Sequence, residues 1–361
     1  MEEIIGAFGF VTDAPRNIPG ELGKRRLDRR RSAMKSIVVS DFGSPDVLSY
    51  LETDMPAVGP SQVLIRVAAT SVNFADIKAR YGRYHGVSKP PYTPGLDVAG
   101  VVEAVGSDVH HIKALQRVIG FPKNGSYAEY TVCDESLTFT IPDEIDFDTA
   151  AACPLVSFTA YKLLADVARL QPGETVLIHA AAGGIGTTAS QIAKILGATT
   201  VIGTVGTRTK ESAAREAGAD EVIAYEGVDF AAKVNELTGG RGVDVILDSI
   251  GGTVAEQSMA CLARYGRMVH FGSASGEVGR IRTTDLHASC RSVLGFSLGT
   301  TLSERPELVQ STAQQVLGYL ATGRLKMKIG ARFPLAAAAD AHRLMESRQS
   351  MGKILLTVEN V

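Results

Sequence analysis

Residues 175–196 read TVLIHAAAGGIGTTASQIAKIL, and this stretch decides the fold. TVLIHAA (175–181) is a short apolar run rich in β-branched residues, set off by the turn signal Gln171-Pro172-Gly173-Glu174, and it predicts a fully buried parallel strand. Gly183, Gly184 and Gly186 interrupt it. Ala189, Ile192, Ala193 and Leu196 then recur at helical spacing. A glycine turn between strand and helix lets a pyrophosphate come up against backbone N–H groups at the positive end of a helix, so the segment predicts a dinucleotide site, with an ordinary tight βα turn as the plain alternative.

The next strand narrows the choice of nucleotide. TTVIGTVG (199–206) runs into Thr207, Arg208, Thr209 and Lys210, with no acid at its tip. Asp or Glu there would bind a free ribose 2′-hydroxyl, whereas cations suit a 2′-phosphate; Arg208 and Lys210 therefore favour NADPH over NADH. They could equally be the solvated start of a helix.

From about 156 to 295 strand-like runs alternate with helical ones: EVIAY (221–225), VDVILDSIG (243–251), GRMVHFG (266–272) and SVLGFSL (292–298), separated by helices over 229–237 and 253–263. This predicts a doubly wound parallel sheet of the Rossmann type. Residues 34–155 read differently. MKSIVVSDF (34–42), QVLIRVAAT (62–70), LDVAGVVEAVG (96–106), RVIGF (117–121) and SYAEYTV (126–132) are strand-like, and Asn124-Gly125 between the last two predicts a hairpin. A small β-rich, barrel-like unit is expected. Residues 304–322 and 335–347 read as helices, and KILLTV (353–358) as a strand able to return to the first unit.

A chain of 361 residues suits two domains, and 45% hydrophobic with 21% charged residues suits a globular protein with ample core. No apolar run approaches the ~18 residues of a membrane span. The net charge of −2 argues against a nucleic-acid partner. Cys133, Cys153, Cys261 and Cys290 are scattered with no CxxC pair, as in a reducing, cytoplasmic setting. Residues 1–33 differ from the rest: they hold seven Lys/Arg and five Asp/Glu and little periodicity, which leaves the remainder with a net charge of −4. Acids at Glu2, Glu3 and Asp13 fit a transit peptide poorly, so a dispensable disordered extension, or a true start at Met34, is expected.

SVNFADI (71–77), PGLDVAGVVEAVG (94–106), GSYAEYTV (125–132), HAAAGGIG (179–186), GTVGT (203–207), DSIGG (248–252) and GKILL (352–356) together resemble the zinc-free quinone oxidoreductase branch of the medium-chain dehydrogenase/reductase superfamily, the group that includes zeta-crystallin. The resemblance runs from Met34 to the end. It implies a GroES-like β-rich catalytic domain (34–155, with 296–361 returning to it) split around a Rossmann NADP-binding domain (156–295), and a homodimer. Where zinc-dependent relatives carry Gly-His-Glu, this chain has Gly95-Leu96-Asp97; Leu96 cannot bind a metal, so no metal site is expected. Ala181 takes the first glycine place of the fingerprint, and Gln116-Arg117 the usual Asp-Arg.

The resemblance implies hydride transfer from NADPH to an acceptor already activated by conjugation, a quinone or an enone or enal, without a Lewis acid. Asn73 would line the cleft near the nicotinamide, or simply cap a turn. Tyr84 would hydrogen-bond or protonate the acceptor, or simply pack; His85 beside it reads as a loop histidine. The cofactor would meet Ala182, Gly183, Gly184, Ile185 and Gly186 at the turn, and Thr207, Arg208, Lys210 and Tyr225 around the 2′-phosphate. Thr159, Ser249, Phe271 and Gly272 would lie near the nicotinamide, and Lys353 would reach the phosphates unless it is a plain strand-edge lysine. Two other functions stay open: a 2-enoyl-thioester reductase of the same superfamily, and a non-enzymatic RNA-binding or structural, crystallin-like role.

Overall fold

Alternation along QVLIRVAATSV builds the hub of the first unit. In the computed structural model, which describes residues 33–84 and 89–358, these residues form β3 (Gln62–Val72), with Val63, Ile65, Val67 and Ala69 buried. Residues 1–32 and His85 lie outside the described part, and with them nearly all of the expected extension. Around β3 lie β4 (Val98–Val105), β5 (Arg117–Gly120), β6 (Tyr130–Asp134), β7 (Thr138–Thr140), β14 (Ile329–Pro334) and β15 (Lys353–Thr357). They form a seven-stranded sheet ordered β14-β15-β3-β4-β5-β7, with β6 also on β3. β1 (Ala33–Val39) and β2 (Leu48–Asp54) make a separate antiparallel pair. The last strand does return: β15 pairs antiparallel with β3, Leu356 opposite Thr70.

The hairpin expected at Asn124-Gly125 does not form. β5 pairs with β4 and β7, and β6 pairs with β3. Gly125 has φ +81°, and a Cβ on it would meet the Thr93 carbonyl at 2.0 Å. Ser126 and Tyr127 donate to the Pro94 carbonyl, and Tyr127 accepts from Ile37. The turn is therefore pinned against 93–94 and β1, which carries the chain across the unit instead of folding it back on β5.

The second unit is a six-stranded, wholly parallel sheet ordered β10-β9-β8-β11-β12-β13. Its strands are β8 (Thr175–Ile178), β9 (Thr200–Val205), β10 (Glu221–Ala224), β11 (Val243–Asp248), β12 (Leu262–His270) and β13 (Ser292–Gly295). The chain winds outward from β8 to β10, then restarts at β11 on the other side, so the direction of winding reverses between β8 and β11. Ligands of such sheets bind outside the carboxyl ends at that reversal.

Both faces are apolar, as a covered parallel sheet requires. Val176, Ile178, Val201, Val245 and Val269 pack on α3 (Pro154–Tyr161), α4 (Gly184–Ile195) and α10 (Gln310–Ala321). Leu177, Ile202, Ile246 and Met268 pack on α6 (Phe230–Leu237) and α7 (Gly252–Ser258). Each such aliphatic side chain contributes about 1.5–3 kcal/mol when taken out of water. The remaining helices are α1 (Phe74–Arg80), α2 (Phe147–Ala152), α5 (Glu211–Glu216), α8 (Thr284–His287), α9 (Leu298–Glu304) and α11 (Ala338–Glu346). α3 and the second half of α2 are buried; Ala150, Ala151, Ala152, Phe158 and Ala160 have essentially no exposed surface. α7 is shorter than its sequence expectation, since β12 already begins at Leu262.

Candidate active site

The glycine turn follows β8 as expected. Ala180 sits at φ +54°, and Gly186 packs so closely that a Cβ would lie 2.3 Å from the Ala180 carbonyl oxygen and 2.5 Å from the Ala181 Cα. Gly186 is therefore the contact that brings α4 down onto the strand. Gly183 is roomier, its nearest neighbour 3.3 Å away. As first-turn residues of α4, Gly184, Ile185 and Gly186 have N–H groups with no carbonyl partner inside the helix, which makes this end an anion site. Ala182 is buried beneath it, and its carbonyl accepts from Gly352 at 2.8 Å, while Gly183 and Gly352 form a parallel bridge. The turn is thus stitched to the segment that leads into β15.

At the tip of β9 the two cations part company. Thr207 and Arg208 are exposed. Lys210 is half-buried and donates to the carbonyls of Arg348 and Ser350; burial pushes its ammonium below the usual lysine range. Tyr225, just past β10, turns its hydroxyl inward, 2.7 Å from His179 Nδ1 and 2.8 Å from Thr204 Oγ1. Because Ser258 donates to the Val254 carbonyl, it accepts from His179 Nε2 at 2.9 Å, which leaves Nδ1 to accept from Tyr225. The chain Thr204–Tyr225–His179–Ser258 therefore requires neutral His179, and burial holds its pKa down at about 4. The Tyr225 hydroxyl is thus engaged inside the protein.

At the other end of the groove, Phe271 N–H donates to the Asp248 carbonyl at 3.0 Å, and Gly272 lies over Ser249, whose carbonyl would be 3.1 Å from a Cβ at 272. Phe271, Gly272 and Ser249 are half-buried, and Thr159 on α3 is buried. Buried Asp248 accepts from Ile250 N–H (2.9 Å), Gly251 N–H (3.0 Å) and His270 Nδ1 (2.8 Å). A cavity of about 510 Å³ opens beside His270, Phe271, Phe296 and Thr300.

Between the units, Asn73, Asp97 and Lys353 meet. Asn73 sits at the N-cap of α1 and its backbone N–H donates to Asp76 Oδ2 (2.9 Å), so the capping reading is right for the backbone. Its side chain does other work. Oδ1 accepts from Lys353 Nζ at 2.5 Å, and Nδ2 donates to the Ser71 carbonyl (3.2 Å) and Asp97 Oδ1 (3.3 Å). Lys353 also donates to the Val72 carbonyl. Its stem, not its ammonium, meets the glycine turn: a Cβ on Gly184 would lie 2.9 Å from Lys353 Cδ. Burial pushes the Lys353 ammonium down, against the pull of Asp97 and Asp76. Burial pushes the Asp97 carboxyl up, against Lys353 and the Ser71 hydroxyl 2.7 Å away. Leu155 N–H takes the second Asp97 oxygen.

Beneath this lies a second buried network on α1 and α11. Tyr127 links Asp76 Oδ2 (3.4 Å) to His342 Nε2 (3.2 Å); His342 Nδ1 faces Arg80, which also pairs with Glu346 at 2.6 Å. Burial raises Asp76 to about 7 and lowers His342 to about 3. Tyr84 stands half-buried close enough to feel Asp76, and burial first, then Asp76, pushes its phenol up. Asp76, Arg80, His179, Asp248, His270 and His342 escaped the sequence reading. The one local clue was a charged or titratable residue closing an apolar strand-like run, as in ILD (246–248) and MVH (268–270).

Among the described residues no cluster of three His, Cys, Asp or Glu could hold a metal, and no helix is long and apolar enough to cross a membrane. Two family models match: an alcohol dehydrogenase GroES-like domain over residues 59–143 and a zinc-binding dehydrogenase domain over 184–314. A quinone oxidoreductase of Pseudomonas aeruginosa is 38% identical over 89% of this chain and 99% of its own. A human synaptic vesicle membrane protein VAT-1 homolog is 33% identical over 90% of this chain and 86% of its own. The Escherichia coli quinone oxidoreductase complexed with NADPH superposes with a TM-score of 0.83 at 34% identity, covering 90% of this chain and 99% of the other. With both family models matched and its quinone oxidoreductase relatives covered nearly end to end, this chain belongs to the zinc-free quinone oxidoreductase branch of the medium-chain dehydrogenase/reductase superfamily.

Proposed function

We propose that the chain is an NADPH-dependent oxidoreductase that reduces quinones or conjugated enones and enals without a metal. The observation that carries the reading is the junction of an anion-binding glycine turn with the Lys353–Asn73–Asp97 cluster. When bound, NADPH supplies the hydride. The turn residues Ala182–Gly186 and Arg208 hold its phosphates, Phe271 and Gly272 present backbone to the nicotinamide, with Ser249 and Thr159 alongside, and Lys353 fixes Asn73 at the base of the cleft. Tyr84, neutral because its phenol is pushed up, hydrogen-bonds the acceptor oxygen as negative charge grows on it. Leu96 offers no ligand, and the Asp97 oxygens are taken by Ser71, Asn73 and Leu155 with an ammonium close by, a poor donor set for zinc.

The catalytic unit is assigned to 34–155 and 296–361, the cofactor unit to 156–295. Among the described residues β13 pairs with β12 alone, and that edge supports pairing with a second copy. The buried, unpaired Cys133, Cys153 and Cys261 support a reducing, cytoplasmic setting. The test is a panel of ortho- and para-quinones, enones and crotonyl thioesters with NADPH and NADH, before and after exhaustive chelation. NADPH-preferring turnover of a quinone or enone that survives chelation is expected. Preference for the thioester would reassign the enzyme, and turnover of none would overturn the reading.

A further inference from the structure

The reaction consumes a proton as well as a hydride, and Tyr84, with its phenol raised, is a weak source of one. We propose that His270 is a further catalytic residue: its imidazolium, tethered through Nδ1 to buried Asp248 and open through Nε2 to the cavity beside Phe271, gives the acceptor its proton. The proposal rests on the reductase reading above.

The geometry is that of an oriented acid. Asp248 has no exposed side-chain surface, and one oxygen is locked by the Ile250 and Gly251 N–H groups. The other takes His270 Nδ1–H at 2.8 Å, which leaves Nε2 as the working nitrogen. His270 is 43% exposed and lines the cavity of about 510 Å³ together with Phe271, whose backbone belongs to the nicotinamide end of the groove. Among the groups facing it, Asp248 on β11 favours the charged ring and Lys78 on α1 opposes it across the cleft. Glu277 lies on the adjoining loop beside Gly251, Glu304 and Arg305 stand on the cavity wall at the end of α9, and His179 stands behind Asp248. The Asp248 hydrogen bond dominates, and His270 titrates above the ordinary histidine value.

The step balances. Bound NADPH would supply the hydride to the acceptor, whose conjugated electron pair would move onto its oxygen. That oxyanion takes the Nε2 proton, giving an enol or hydroquinone, NADP⁺ and neutral imidazole. Nδ1–H stays on Asp248, and solvent reprotonates Nε2 through the open mouth of the cavity.

The test measures kcat for an enone at saturating NADPH from pH 5.5 to 9, with NADPH Kd by fluorescence titration. In the wild type kcat should be level at low pH and fall about tenfold per unit once pH passes the His270 pKa. His270→Gln should lower the plateau about 100-fold, a general-acid contribution, and abolish that fall. NADPH Kd should stay within about twofold, since only a proton donor has been removed. Asp248→Asn, which keeps a hydrogen-bond acceptor but removes the charge, should move the fall to lower pH. Unchanged kcat and pH profile in His270→Gln, or a fall that Asp248→Asn does not move, would overturn the proposal. So would weaker NADPH binding with kcat intact, which would make His270 a cofactor contact only. A wild type that turns over neither quinone nor enone at any pH would instead overturn the reductase reading on which the proposal stands.

Discussion

The glycine turn and the Asn73 cluster both belong to the site proposed for the cofactor, yet they are built in opposite ways. The turn is local: β8, the glycines and α4 lie within residues 175–195, and the tight approach that seats α4, Gly186 on Ala180 and Ala181, is made by neighbours in sequence, with Gly352 and Lys353 joining it from afar. The cluster is assembled from chain segments 280 residues apart, with Lys353 on the last strand and Asn73 on the first helix. Local geometry is backed by backbone sterics, so it survives changes elsewhere. The assembled cluster depends on β15 returning to β3, because only that pairing brings Lys353 to Asn73 Oδ1 and the Val72 carbonyl.

Removing the lysine should expose that dependence most strongly. Lys353→Met leaves the buried Asn73 Oδ1 and Val72 carbonyl without their donor and removes the nearby cation that offsets the burial of Asp97, a loss of about 1–3 kcal/mol or more. Urea unfolding should report the loss; a change below about 1 kcal/mol would mean Asp97 simply takes a proton and the cluster carries little stability. The turn should respond next. Gly186→Ala drives a methyl into the Ala180 and Ala181 backbone, at about 1–3 kcal/mol for overpacking, and should also abolish NADPH binding by lifting α4. Gly183→Ala, with its nearest neighbour at 3.3 Å, should lose far less stability. If the two alanine variants behave alike, the turn is not held by close approach at Gly186.

This contrast also sets what could be read from the chain. The parallel sheet, its winding and the return of 353–358 were legible, because periodicity and turn residues are local signals. Asn73 was half legible: its capping follows from its place before α1, but the partner of its amide depends on which strand comes to lie beside it. Asn124-Gly125 misled for the same reason, since a turn reports its own backbone and not what packs on it. Tyr225 and Lys353 were placed at the cofactor by resemblance, yet their polar ends are engaged within the protein. The orientation of a hydroxyl or ammonium is decided by neighbours such as His179 and Val72, which no spacing in the sequence connects to them.

Each unit also buries one neutral histidine, which extends the comparison to pH. Burial lowers His179 in the parallel sheet to about 4 and His342 under α1 to about 3. In the unfolded chain both titrate near 6.5, so below that pH the unfolded state binds protons that the folded state refuses. Stability is complete above about 6.5 and falls as pH drops toward 4 and 3, by about 2 kcal/mol per histidine at pH 5. His342→Gln should flatten part of that fall in thermal melts between pH 7 and 5. An equal acid slope in the variant would mean that other groups carry it.

The smallest expected effect separates the two cations at the tip of β9. Arg208 is exposed just past the tip of β9, a local position like the turn itself, and is the residue proposed to meet the 2′-phosphate. Lys210 belongs to the other kind of structure: its ammonium is held by the carbonyls of Arg348 and Ser350, 138 and 140 residues away. A charge-assisted hydrogen bond to phosphate is worth about 1.5–3 kcal/mol, so Arg208→Ala should weaken NADPH by roughly tenfold or more and leave NADH nearly unchanged. Lys210→Ala should instead loosen the 348–350 segment that precedes Gly352, lowering the melting temperature slightly and weakening NADPH and NADH alike, because that segment is bridged to the glycine turn. Fluorescence titration of both variants with both cofactors decides it. If Lys210→Ala discriminates between the cofactors as sharply as Arg208→Ala, the lysine leaves its carbonyls when NADPH arrives, and it belongs with the local phosphate contacts and not with the assembled part of the site.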